Sequence, residues 1–121
     1  EAKRFRAWEC YVLSTELEYF SALAAGFDVV QAVHVGGTFQ RLNSQGIAGA
    51  DRGPGNHSTA ADGYWAEGEV LVADMVNSWN TTFGDQGRCG ITWDRHLAGT
   101  VNYHGFYAMR SAIDDPEDVN P

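Results

Sequence analysis

The clearest periodic segment of the chain lies near its start, where apolar side chains recur at helical intervals. Thr15 lies three residues before Glu18, which is the spacing of a capping box. Gly26 follows at a position suited to ending a helix. The pattern therefore predicts a helix over residues 15–25, with a buried stripe made of Leu17, Phe20, Leu23 and Ala24.

The rest of the chain is rich in β-branched and aromatic residues, which favour strands. Residues 44–63 contain five of the fourteen glycines and predict a long surface loop. Residues 94–96 predict a turn. Extended structure is predicted over 5–13, 29–35, 38–43, 88–93, 98–104 and 106–113.

One further segment alternates between polar and apolar residues. Over 64–72, a strand would place Trp65, Glu67, Glu69 and Leu71 on one face. Residues 73–87 fit either a helix or a strand. One early helix followed by many strands predicts an α+β fold, in which the N-terminal helix packs on a central antiparallel sheet. We expect a single domain over 1–121, frayed at 1–7 and 114–121.

The net charge and the absence of certain sequence patterns make some classes of function less favourable. The 121-residue chain carries a net charge of −8, whereas a protein that binds nucleic acid by neutralising phosphates should be basic. No apolar run is long enough to span a membrane. The four histidines show no metal-ligand spacing, so we expect neither a metal nor a cofactor.

Cysteines and short motifs point to secretion. Cys10 and Cys89 permit one disulfide, and the alternative is two free thiols. Asn56 and Asn80 begin glycosylation triplets, and Lys3-Arg4 is a dibasic pair of the kind that secretory proteases cut. We therefore predict an extracellular protein with a Cys10–Cys89 disulfide.

Three short motifs carry a family resemblance. They are Trp8-Glu9-Cys10, Ala24-Ala25-Gly26-Phe27, and Arg88 followed nine residues later by Leu97-Ala98-Gly99. In their order and spacing, the chain resembles the small fungal guanyl-specific ribonucleases of the T1 type. It resembles more closely the ribonuclease-like secreted effectors of plant-pathogenic fungi.

The resemblance implies a site for RNA cleavage, which needs a base, an acid and a cation for the phosphoryl oxygens. Arg88 lies at the position of the family's catalytic arginine. Glu69, nineteen residues earlier, lies at the position of the carboxylate base, and Glu67 shares its predicted face. His104 is the candidate acid, although it lies one residue beyond the family position.

Two family histidines are replaced. Arg41 stands where one is expected, and Tyr103 stands where the general acid is expected. Neither side chain exchanges a proton readily at neutral pH. His34 is interpreted as a packed or edge histidine. Phe39, Arg41 and Tyr103 lie in the corresponding segments and are the predicted binding residues.

Three interpretations follow. The first is a catalytically inactive, ribonuclease-like fungal effector, monomeric and secreted, that binds an immune receptor or another host protein, in some cases after entering host cells. It would bind RNA weakly or not at all and would not engage membranes. The second is an active extracellular guanyl-preferring endoribonuclease that uses Glu67 or Glu69, Arg88 and His104. The third is an unrelated secreted binding module or toxin subunit.

Overall fold

A computed structural model describes residues 8–51, 53–76 and 87–111. The described residues form an α+β structure with a six-stranded antiparallel sheet. Its elements, in chain order, are β1 (Trp8–Leu13), α1 (Glu16–Ala24), β2 (Asp28–Val33), β3 (His57–Glu67), β4 (Val70–Val76), β5 (Arg88–Thr92), a π-helical segment (Trp93–Leu97), α2 (Val101–His104) and β6 (Phe106–Ser111).

The predicted helix and its cap are confirmed. The Thr15 hydroxyl accepts a hydrogen bond from the Glu18 backbone N–H at 3.2 Å. In return, Glu18 Oε1 accepts one from the Thr15 backbone N–H at 3.1 Å and another from the Ser14 backbone N–H at 2.7 Å. The bonds from Ser14 and Thr15 hold the pKa of the Glu18 carboxyl below its ordinary value. The chain leaves the helix through Gly26, whose φ of +91° is a conformation that glycine adopts without strain.

The stripe predicted for this helix is wrong in two of its four members. Leu17 is 78% exposed and Ala24 is also exposed, whereas Tyr19, Phe20 and Leu23 are buried. Successive residues of a helix are about 100° apart, so burying Tyr19 turns Leu17 and Ala24 toward solvent. The prediction failed because it considered apolar side chains only and passed over a tyrosine.

The strand order is β1-β6-β2-β3-β4-β5, and every paired neighbour is antiparallel. Strands β2 to β5 follow one another across the sheet. The last strand, β6, returns to lie between β1 and β2. The chain must therefore cross from the β5 edge back toward the middle of the sheet through residues 93–105.

Several predicted strands are corrected by this arrangement. Residues 38–43 form turns and irregular backbone, and 98–104 contain α2 instead of a strand. The loop predicted over 44–63 runs instead from 34 to 56, because β3 begins at His57. The alternation over 64–72 spans two strands, since Gly68 and Glu69 form the turn between β3 and β4.

The predictions for β1, β2, β5 and β6 agree with the observed strands within a few residues. Predictions that concern 1–7, Asn80, and 112–121 lie outside the described residues. No helix among the described residues has the length and apolar character needed to cross a bilayer.

The predicted Cys10–Cys89 disulfide is wrong in this structure, where both cysteines are free. Cys10 lies on β1 and Cys89 on β5, which are the two opposite edges of the sheet. Five strand spacings of roughly 4.8 Å separate them by about 24 Å. A disulfide needs α-carbons within about 7 Å, so the fold excludes this bridge.

The helix supplies a stability test with an internal control. Leu23→Ala should reduce the free energy of unfolding by roughly 2–5 kcal/mol, because it leaves a cavity beneath α1. Leu17→Ala, on the same helix but exposed, should change it by less than about 0.5 kcal/mol. Urea unfolding followed by circular dichroism measures both, and equal effects would contradict the observed orientation of the helix.

The two thiols should differ in reactivity. Burial, with a contribution from the nearby Asp74 charge, raises the pKa of the Cys89 thiol to about 12, whereas Cys10 is exposed. A maleimide should therefore label Cys10 in the folded protein and Cys89 only after unfolding. Mass spectrometry before and after denaturation measures this, and a protein that takes up no label when unfolded would restore the disulfide.

Candidate functional site

Arg88, the candidate catalytic arginine, begins β5 and is bound to two carboxylates. Its guanidinium donates to both oxygens of Asp62, at 2.9 and 3.0 Å, and lies 3.3 Å from Asp74. The hydrogen bonds from Arg88 hold the pKa of the Asp62 carboxyl below its ordinary value. Two negative charges beside one positive charge leave this edge with a net negative charge, which repels a phosphate.

Asp62 reaches Arg88 because of an irregularity in β3. The register between β3 and β4 shifts between Ala61 and Gly63, so Asp62 is an extra residue in the ladder. Such a bulge re-aims side chains beside it. The ion pair is therefore a product of local backbone geometry that the sequence pattern did not reveal.

The two candidate carboxylates lie at the far end of the β3–β4 hairpin. Glu67, the last residue of β3, accepts hydrogen bonds from Trp65 Nε1 at 2.9 Å and Gln45 Nε2 at 3.3 Å. Glu69 lies in the turn and is exposed. Arg88 pairs with Val76 and Glu67 with Val70, and six residues of strand separate these positions by roughly 20 Å.

The candidate acid lies in yet another place. His104 ends α2, and a Cβ built on Gly55 would come within 2.8 Å of both its ring and the Ala32 side chain. His104 is therefore beside the end of β2, and its neighbour Tyr103 is 74% exposed. The structure does not bring Glu67, Glu69, Arg88 and His104 together.

The predicted binding residues divide into one buried and two exposed side chains. Phe39 is fully buried, with its ring 5.9 Å from that of His96, so its side chain is not accessible to a partner in this structure. Arg41 and Tyr103 are exposed and accessible to a partner. The pattern did not show that the segment around Phe39 folds inward.

One carboxylate, that of Asp51, makes several of the contacts that hold the loop over 34–56. Asp51 accepts hydrogen bonds from the Thr38 hydroxyl and from the backbone N–H groups of Gly36, Thr38 and Phe39. These bonds, led by that of the Thr38 hydroxyl, hold the pKa of the Asp51 carboxyl below its ordinary value. The loop is thus fixed by specific contacts although it has little regular secondary structure.

A cleft of about 860 Å³ lies between this loop and the segment that follows β5. His34 donates from Nδ1 to the Pro54 carbonyl at 2.7 Å, which leaves the lone pair on Nε2. Arg95 and Tyr103 also line the cleft. A base, a cation and a hydroxyl therefore share one concave surface, which is the candidate functional site of the described residues.

Sequence reasoning missed this combination. His34 was interpreted as a packed or edge residue, and Arg95 was assigned only to a turn. They are 61 positions apart, and only the return of the chain toward β2 brings them to the same cleft. No spacing in the sequence signals a contact of this kind.

His96 forms the buried wall of the cleft. Its Nδ1 accepts from the Thr92 backbone N–H at 2.9 Å, so the ring proton is on Nε2, which lies 3.0 Å from the Ala48 carbonyl and donates to it. Burial holds the pKa of His96 below its ordinary value. A neutral His96 therefore ties the loop to the end of β5.

A second cleft, of about 530 Å³, lies on the other side of Asp94 and Arg95. Glu16, Glu67 and Trp93 contribute to its lining. Among the described residues, no group of three or more His, Cys, Asp or Glu side chains is arranged to hold a metal ion.

The sequence matches no protein-family model, and no curated protein shows significant similarity to it. Assignments of chemistry to this chain therefore depend on its own residues and their geometry.

His96 makes stability pH-dependent with a defined sign. Its pKa is lower in the folded state than the unfolded value of about 6.5, so the unfolded state takes up a proton first as the pH falls. The stability that neutral His96 supplies is complete above about pH 6.5 and declines below it. Protonated Nδ1 could no longer accept from Thr92.

Urea midpoints at about pH 7.5 and about pH 5 measure this effect, in a range where carboxyl groups with lowered pKa stay ionised. We expect a lower midpoint at the acidic pH, and a smaller difference in His96→Gln. His104→Gln, a change at an exposed histidine, is the matched control and should retain the full difference.

Proposed function

We propose that this chain is a secreted, ribonuclease-like domain without catalytic activity, which acts by binding a host protein. The observation that carries the proposal is the state of Arg88. Its guanidinium is bound to Asp62 and Asp74. Measured along the strands, Arg88 lies roughly 20 Å from Glu67. A fungal origin and the relationship to ribonuclease-like effectors belong to the same proposal.

The separation of the candidate base from the candidate acid supports the absence of catalysis. Cleavage by the 2′-hydroxyl needs a base and an acid on either side of one phosphate, each worth about 10²–10⁴-fold in rate. Glu67 and His104 are at different ends of the sheet and cannot flank the same group. A net charge of −8 further disfavours RNA, whereas a protein partner can have either sign of charge.

An open sheet face supports a protein partner. The face away from Tyr19 carries a row of residues that are directly paired across all six strands. Val12 is 65% exposed, and Val30 is 36% exposed although its strand has neighbours on both sides. Contiguous apolar surface of this kind is typical of a contact region. The apolar part of the row is Val12, Tyr107, Val30, Ala60 and Val76, and the charged Arg88 ends it at the β5 edge.

A second candidate function is RNA cleavage at the His34 cleft. It is favoured by one observation, namely that His34 presents Nε2 as an acceptor in a cleft lined by Arg95 and Tyr103, beside the carboxylates of Asp51 and Asp94. Such a site would use residues different from those the resemblance implies. It would be an endoribonuclease site with His34 as the base and Arg95 facing the phosphate.

Single-stranded RNA with unpaired guanosines distinguishes these functions. We expect no cleavage by the wild-type protein above the level of buffer, and no change on Arg88→Ala. Cleavage that is lost in His34→Ala but kept in Arg88→Ala would favour the second candidate. Cleavage lost in both Arg88→Ala and His104→Ala would restore the site implied by the resemblance.

Partner binding is tested by altering the open face. Val12→Glu combined with Val30→Glu should abolish retention of the host protein that the wild-type chain captures, at an unchanged thermal midpoint. Leu17→Glu introduces one such charge at a more exposed site on α1 and should leave retention intact. Loss of retention in both variants, or in neither, would contradict the assignment of this face.

A further inference from the structure

The ends of the 34–56 loop are joined by a side chain that mimics backbone. Asn56 Oδ1 accepts from the Val35 backbone N–H at 2.8 Å, and Asn56 Nδ2 donates to the Val35 carbonyl at 3.1 Å. The Asn56 backbone N–H also donates to the Val33 carbonyl at 3.0 Å. The amide thereby adds one rung to the ladder between β2 and β3.

This pairing uses a particular hydrogen of the amide. Both bonds go to the same residue, so Oδ1 and the donating hydrogen must lie on the same edge of the planar amide group. The donor to Val35 is therefore the Nδ2 hydrogen that is cis to Oδ1, as in any bidentate amide contact. The second Nδ2 hydrogen, trans to Oδ1, points away from Val35.

A glycan attached to Asn56 would replace the same hydrogen, the one on Nδ2 that is cis to Oδ1. Asn56-His57-Ser58 has the sequence of a glycosylation triplet. In the transfer, a bond forms between Nδ2 and the anomeric carbon of the sugar, the bond to the donor's pyrophosphate breaks, and one Nδ2 proton is released. The product is a secondary amide, which strongly prefers the trans form and so places the sugar cis to Oδ1.

We propose that Asn56 is a structural latch, and that a glycan on Asn56 and a closed 34–56 loop exclude each other. The sugar would occupy the place of the Val35 carbonyl and remove the hydrogen that binds it. Exposure does not decide the matter, because Asn56 is exposed in the folded chain. The engagement of its amide with Val35 is what excludes the sugar while the loop is closed.

The latch also fixes the site described above. Pro54, whose carbonyl orients His34, lies two residues before Asn56. A Cβ built on Gly55, between them, would lie 2.8 Å from both the Ala32 side chain and the His104 ring, so this stretch has no room for a larger residue. Opening the latch would release this stretch from β2. This inference concerns loop closure alone, and it holds whether or not the chain binds a host protein.

The test uses the full chain, secreted by a glycosylating eukaryotic host and isolated as folded monomer. Peptide mapping measures the fraction of Asn56 that carries sugar, and calorimetry measures the thermal midpoint. Ser58→Ala destroys the triplet but keeps the Asn56 amide, so it is the matched control. Asn56→Ala removes the latch itself.

We expect Asn56 to be unmodified in the folded monomer and Ser58→Ala to melt with the wild type. Asn56→Ala should lower the midpoint by about 4 °C or more, because two hydrogen bonds are lost. Any glycosylated fraction that is recovered should melt lower than Ser58→Ala, which would also support exclusion. A glycosylated form that melts with Ser58→Ala, or an Asn56→Ala midpoint equal to that of the wild type, would overturn the proposal.

Discussion

A buried tyrosine hydroxyl sets the position of the first helix. Tyr19 is fully buried, and its hydroxyl donates to Gln31 Oε1 at 2.8 Å. Gln31, itself buried, donates from Nε2 to the Thr59 hydroxyl at 3.3 Å. A buried polar group without a partner costs about 1–3 kcal/mol, so all three groups depend on this chain of bonds. Few orientations of α1 satisfy it, and in this one Leu17 faces solvent.

The return of β6 to the interior of the sheet decides where the candidate site residues lie. Because β6 pairs with both β1 and β2, residues 93–105 must cross from the β5 edge toward β2. This crossing carries Arg95 and His104 away from Arg88. A succession of strands in simple order would have kept them near β5.

The helix cap was predicted correctly from neighbouring residues, whereas two other local patterns, over 64–72 and 98–104, were misread. The capping box of Thr15 and Glu18 needs only neighbouring residues, so the helix and its boundaries followed from the pattern. The single strand predicted over 64–72 was wrong because the turn at Gly68 and Glu69 has two residues. An even number of turn residues leaves the alternation of polar and apolar residues in phase before and after the turn. Residues 98–104 favour strand by composition, yet they form a helix where the chain must change direction.

The candidate site was the least predictable part, because each of its contacts spans many residues. His34, Arg95 and Tyr103 meet only through the strand order, and the ion pair of Arg88 with Asp62 arises from a bulge. Nothing in the composition of the surrounding segments marks either arrangement.

The contacts that hold the 34–56 loop matter for binding because ordering an irregular segment costs conformational entropy. Fixing each residue of an irregular segment costs roughly 1–2 kcal/mol in entropy, which a flexible loop must supply when it binds. Here Asp51, Asn56 and His96 hold the loop before any partner arrives. Protonation of Asp51 or His96 would weaken that hold, and both effects act in the same direction as the pH falls. A loop held in this way loses less conformational entropy on binding than a flexible loop would.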